Sequence, residues 1–163
     1  MLIQNAQAYA ERHGFQLAER LGFGIHGIIF RTEGNPGTAT IATAIKVHRA
    51  KEPFLREVAI YQRLKEAEIT KILGFNVPQL LRHDEELCII EMSIVTRPFL
   101  LDFAGAYLDF PPEFPDAIWA EWEAEKQEQF GTRWPKVQDV LGALEELDIH
   151  MVDVSPSNIA FAD

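Results

Sequence analysis

The sequence predicts an α+β fold: an antiparallel sheet of about five strands with one long helix, followed by a smaller, mostly helical half. Three observations predict it. Runs rich in β-branched and aromatic residues at 17–30, 40–48, 77–81 and 87–92 are separated by glycine-rich or polar turns, as in a meander. Two segments, 53–68 and 137–147, place apolar residues at helical spacing. The part between them, 98–135, is interrupted by Pro111, Pro112 and Pro115 and ends in an acidic helical stretch.

A chain of 163 residues fits one domain, 1–163, or two small lobes sharing a cleft, here 1–92 and 93–163. A hydrophobic fraction of 47% with 25% charged residues suits a folded soluble chain. The net charge of −10 argues against non-specific nucleic-acid binding, which needs a basic face. It leaves open a phosphate ligand held by backbone amides and one lysine. A single cysteine, Cys88 in the apolar run LCIIEM, reads as a buried core thiol in a reducing, cytoplasmic compartment. No run reaches the ~20 apolar residues of a membrane helix, and the N-terminus has no basic start before an apolar core.

Taken in order, residues 2–13 form an amphipathic helix with Leu2, Ile3, Ala6, Tyr9 and Ala10 on one side and Gly14 as its C-cap. Gly22, Gly24 and Gly27 then make G-x-G-x-x-G, with Ile29 two residues on. Glycines let backbone amides approach phosphate oxygens. In a dinucleotide-binding fold this motif would open a helix. Here Ile28-Ile29-Phe30 reads as a strand, so the glycines sit in a strand–turn–strand unit, which is either a flap over phosphates or a hairpin with no ligand.

Gly34-Asn35-Pro36-Gly37 is a turn, and 40–48 the next strand. Its Lys46 is flanked by apolar residues. A buried ammonium requires an anionic partner; the alternative is snorkelling from an edge strand. The helix at 53–68 starts at Pro53 and buries Phe54, Val58 and Tyr61; Glu57 borders that face and can pair with Lys46. Glu66 and Glu68 read as solvated. Residues 77–81 and 87–92 are two further strands around the turn 83–86. In 117–131, Trp119, Trp122 and Phe130 pack on the second half or form a partner surface. The helix at 137–147 is apolar along Val137, Val140, Leu141, Leu144 and Leu147.

It leads into LDIHMVDVSPSNIAF, which reads as strand, loop, strand, with Asp153 and Asn158 five residues apart. Phosphoryl transfer uses such a pair, an Asp to orient or deprotonate the attacking hydroxyl and an Asn to hold Mg²⁺. Asp, Ser, Pro and Asn are also turn formers, so an ordinary loop is the competing reading.

Four motifs fall in one order: GFGIHGII at 22–29, AIKV at 44–47, REV around Glu57, and D-x-x-x-x-N at 153–158. In this the chain resembles the eukaryotic-type protein kinase-like fold and its bacterial and small-molecule kinase relatives. The resemblance implies ATP and Mg²⁺ as ligands. It implies catalytic roles for Lys46, Glu57 and Asp153, and a metal-binding role for Asn158. Around the nucleotide it implies Gly22, Gly24, Gly27, Ile29, Ala44 and Lys46, with Ile90 as gatekeeper and Glu91 to Ser93 as hinge. The phosphoryl acceptor is not named by it.

Departures from the family pattern accompany the match. Met151-Val152 precede Asp153, where the family has His-Arg, and Ser155 replaces a lysine common in protein kinases. The family's D-F-G Asp follows a further strand and turn beyond the Asn, and the sequence stops at Asp163. The resulting expectation is a truncated or minimal C-lobe ending at a catalytic-loop hairpin, without that Asp. Two functions follow: an ATP-dependent phosphotransferase, or a pseudokinase acting as a nucleotide-binding or protein-interaction module. The apolar face of a short C-lobe suits a homodimer or a protein partner.

Overall fold

A computed structural model describes every residue except Pro36, Thr38 and Ala39. The expected turn at 34–37 therefore lies partly outside the described residues. Helix α1 (Leu2–His13) ends at Gly14, whose φ of 69° supplies the left-handed cap that only glycine adopts without cost. Strands β1 (Phe15–Phe23), β2 (Gly27–Gly34) and β3 (Thr43–His48) follow, then α2 (Lys51–Glu66). Two short strands, β4 (Lys71–Ile72) and β5 (Phe75–Asn76), precede β6 (Leu80–Asp84) and β7 (Ile89–Ser93). The second half holds β8 (Phe99–Leu100), β9 (Tyr107–Leu108), α3 (Asp116–Phe130), α4 (Trp134–Glu145), β10 (Ile149–His150) and β11 (Ile159–Ala160).

The fold is α+β. Its main sheet has five strands in the order β1-β2-β3-β7-β6, each neighbour antiparallel. Helix α2 packs Phe54, Val58, Ile60, Tyr61 and Leu64 into a core that also takes Ile90 and Met92 from β7 and Val137, Val140 and Leu144 from α4. A second cluster joins α1 (Ala6, Tyr9) to the other sheet face through Ile28, Ile45, Val47 and Ile89. Alternation along β3 and β7 feeds both clusters, so the two strands are buried on both faces.

Several boundaries differ from the sequence reading. The strand expected at 77–81 runs from 80 to 84, because Pro78 has no N–H for the ladder and the chain pairs only beyond it. The turn then falls at 85–88, and Cys88 sits in it at φ 53°. Cys88 is partly exposed rather than a fully buried core thiol. The strands flanking Asp153 do not form a hairpin with each other: β10 pairs with β9, and β11 pairs with β8. No helix among the described residues is long and apolar enough to cross a membrane.

Candidate functional site

Lys46 lies in a cleft between the main sheet and the loops of the second half. It is carried by β3 opposite Ile90 of β7 and is 3% exposed. Its Nζ is 2.8 Å from Glu57 Oε2 on α2 and 2.7 Å from Asp102 Oδ1 on the loop after β8. Burial alone would push the ammonium towards its neutral form; the two carboxylates outweigh this and raise its pKa. Glu57, 1% exposed, would likewise be raised by burial. The charge of Lys46 and the hydrogen bond from His48 Nε2 at 2.7 Å bring it instead down to about 2. The other Glu57 oxygen, Oε1, accepts the backbone N–H of Phe103 at 3.2 Å.

This last bond shows how the loop 101–106 is held. Phe103 is fully buried and meets Tyr61 edge-on at 5.4 Å. Arg56 Nη1 donates to Ala104 O at 3.1 Å. The loop is thus fastened to α2 by side chains on successive turns, and Asp102 is presented at φ 64°, in the left-handed region. A non-glycine residue there is uncommon, and such outliers concentrate at functional sites. Sequence reading missed Asp102. The signal was present as Asp102-Phe103-Ala104-Gly105, in a region between prolines that periodicity left illegible.

Strand pairing brings the 153–158 loop to the same place. Ile159 and Ala160 pair with Leu100 and Phe99, and Leu101 N–H donates to Asn158 O at 2.8 Å. A Cβ built on Gly105 would lie 2.9 Å from Asp153 Cβ, so the two loops touch where only a glycine fits. Asp153 itself is exposed. Asn158 Nδ2 donates to Asp153 O at 3.0 Å, which leaves its Oδ1 as the acceptor.

Two adjoining cavities make the cleft. One, of about 260 Å³, is lined by Gly22, Gly24, Gly27 and Ile29 above and by Lys46, Asp102 and Asn158 below. The other, of about 110 Å³, takes in Ala44, Met92, Ser93, Val95 and the same Lys46 and Asp102. Of the residues singled out from sequence, Gly22, Gly24, Gly27, Ile29, Ala44, Lys46, Glu57, Ser93 and Asn158 border this space, and Asp153 adjoins it through Gly105.

Ile90 and Glu91 do not line it. Ile90 is fully buried in the core beneath Lys46, and Met92, two residues on, forms the cleft wall expected of it. Glu91 points to the opposite sheet face, where it accepts from Tyr9, Thr43 and Arg82 at 2.8, 3.0 and 2.8 Å. Burial alone would raise its carboxyl; the hydrogen bonds of Arg82, Tyr9 and Thr43 lower it. Its role is to brace α1 on the sheet.

The glycines divide in the same way. A side chain on Gly27 would collide with the backbone carbonyl of Val47, so this glycine is required by the approach of β2 to β3. Gly24 has open space around it, and Gly22 meets only the Ile29 side chain at ordinary distance. No family model matches the chain, and no curated protein matches it.

Proposed function

We propose that this chain is a kinase-like, ATP-binding phosphotransferase whose nucleotide lies between the glycine turn and the Asp102 and Asn158 loops. The observation that carries the reading is the Lys46 ammonium held between Glu57 and Asp102 at 2.8 and 2.7 Å, facing a cavity roofed by glycines. A lysine fixed in this way offers a positive charge to phosphate oxygens at a defined place. The five-stranded antiparallel sheet with α2 packed against it supports the reading, since the resemblance implies an N-lobe of that make-up.

In the resembled family the D-F-G Asp follows a strand and turn beyond the Asn, and Asp102 supplies a carboxylate to the same cavity as Asn158 from an earlier part of the chain. Here β11 leaves Asn158 and pairs antiparallel with β8, which delivers Asp102 three residues after Phe99. This supports activity over the pseudokinase alternative, since Asp102 puts a carboxylate beside Lys46 and on the cavity that Asn158 lines.

Asp102 and Asn158 offer two oxygen donors on one cavity, which suits magnesium, bound through one or two protein oxygens plus phosphate and water. When bound, Mg²⁺ would neutralise phosphate charge. Lys46 would hold the phosphate oxygens, and the glycine turn would cover them. Asp153 would orient the acceptor hydroxyl and take its proton as the oxygen bonds to the γ-phosphorus and the bridging oxygen leaves with ADP.

Thermal unfolding with ATP, with and without Mg²⁺, tests the reading. Ligand at ~100 times Kd adds about 2.7 kcal/mol, a shift of roughly 5–10 °C for a domain of this size. The expected result is a Mg²⁺-dependent shift that Lys46→Met abolishes. The absence of any shift in the unsubstituted protein would remove the nucleotide cleft.

A further inference from the structure

A separate cavity, of about 390 Å³, lies in the other half of the molecule between α3, α4 and the segment 150–152. Its size falls within the range of small-molecule sites. All three tryptophans of the chain, Trp119, Trp122 and Trp134, line it. Their rings meet at steep angles, 86° between Trp119 and Trp122 and 69° between Trp122 and Trp134, with centroids 5.7 and 5.8 Å apart. Edge-to-face packing of this kind turns the rings into the walls of a corner. Trp122 is fixed there, because its Nε1 donates to Val152 O at 2.9 Å.

Two carboxylates stand on the same cavity. Glu123 accepts only a neutral amide, from Gln138 Nε2 at 3.3 Å, and neither Glu123 nor Glu145 has an ion-pair partner among the described residues. His150 also lines it. Its Nε2 is buried and has no hydrogen-bond partner, the one such side-chain atom among the described residues. That nitrogen is closed to a water-sized probe, so the cavity meets other atoms of His150.

Aromatic faces and unpaired carboxylates both attract a cation. An apolar ligand would leave the carboxylates unused, and an anion would be repelled. We propose that this cavity binds a small organic cation, an alkylammonium held by the tryptophan rings and by Glu123 and Glu145. The inference is independent of the nucleotide reading, since none of these side chains borders the Lys46 cleft.

Intrinsic fluorescence tests it directly, because every tryptophan in the chain is at the site. Choline is the probe, titrated at constant ionic strength. Its neutral isostere 3,3-dimethylbutan-1-ol is the control. Expected are a saturable change with choline, about tenfold weaker binding of the neutral analogue, and weaker choline binding as salt rises. Glu123→Gln and Glu145→Gln, both at exposed positions, should each weaken choline about three- to tenfold while leaving the melting temperature unchanged. Lys46→Met should leave choline binding intact. No saturable change, equal binding of the neutral analogue, or undiminished binding in the doubly substituted Glu123→Gln, Glu145→Gln protein would each overturn the proposal.

Discussion

Lys46 and Glu57 are both removed from water, so each is tolerable only while the other is present. Glu57→Gln would leave the buried ammonium with Asp102 alone and would weaken the acceptor for His48 and Phe103. A cost of about 3–5 kcal/mol is expected, read as a lower urea midpoint at pH 7. The pH dependence has a definite sign. Glu57 titrates near 2 in the folded chain and near 4.5 when free. Between these values the unfolded state binds the proton more, so stability rises with pH. The contribution is fully present above about 4.5 and is lost as pH falls towards 2. Urea midpoints from pH 7 to 2.5 should therefore converge for the wild-type and Glu57→Gln proteins; a constant difference would mean that Glu57 is not charged in the fold. Asp153 and Asp102 should separate by function. Asp153→Asn should leave ATP affinity nearly intact and lower turnover roughly 10²–10⁴-fold. Asp102→Asn should weaken ATP mainly in the presence of Mg²⁺. Equal turnover in Asp153→Asn would make Asp153 a loop residue only.

At the scale of elements, the glycine turn shows why a motif can be legible and its parts not. Gly22, Gly24 and Gly27 are equivalent in the sequence pattern, yet Gly27 serves the sheet and Gly24 borders open cleft. Gly27→Ala must displace the β3 carbonyl at Val47 and should cost more than ~2 kcal/mol of stability, measured by thermal unfolding. Gly24→Ala should change stability by under ~1 kcal/mol while weakening ATP, as the covering loop loses its close approach. The opposite ranking would mean that the turn is a plain hairpin. Helices α1 and α2 and the central strands were readable because their apolar periodicity is long and their ends carry Gly14, Pro53 and Gly27. The two-residue strands β8 and β9 were not, and β10 and β11 were read as strands but paired with each other, because a pairing that short has no periodicity; it is set by what the chain meets in three dimensions.

Across the whole molecule, the cleft draws on six separate segments: the glycine turn, β3, α2, the end of β7 with the residues after it, the 101–106 loop and the 153–158 loop. Sequence order suggested five of them and hid the sixth, since Asp102 lies far from Asn158 along the chain and comes onto the same cavity through the β8–β11 pair. That pair makes the two loops one mechanical unit: Leu101 N–H bonds to Asn158 O, while Phe103 N–H bonds to Glu57. A ligand that engages both Asp102 and Asn158 should then suppress opening of both loops together, because one cannot leave without breaking the ladder that holds the other. Hydrogen exchange with ATP and Mg²⁺ should show the amides of Leu101, Phe103 and Ile159 slowing in concert, alongside those of the glycine turn. In Lys46→Met the slowing should vanish at all of these positions. Protection confined to residues 17–30 would mean that the nucleotide touches the sheet alone, and Asp102 would then be a structural partner of Lys46 and nothing more.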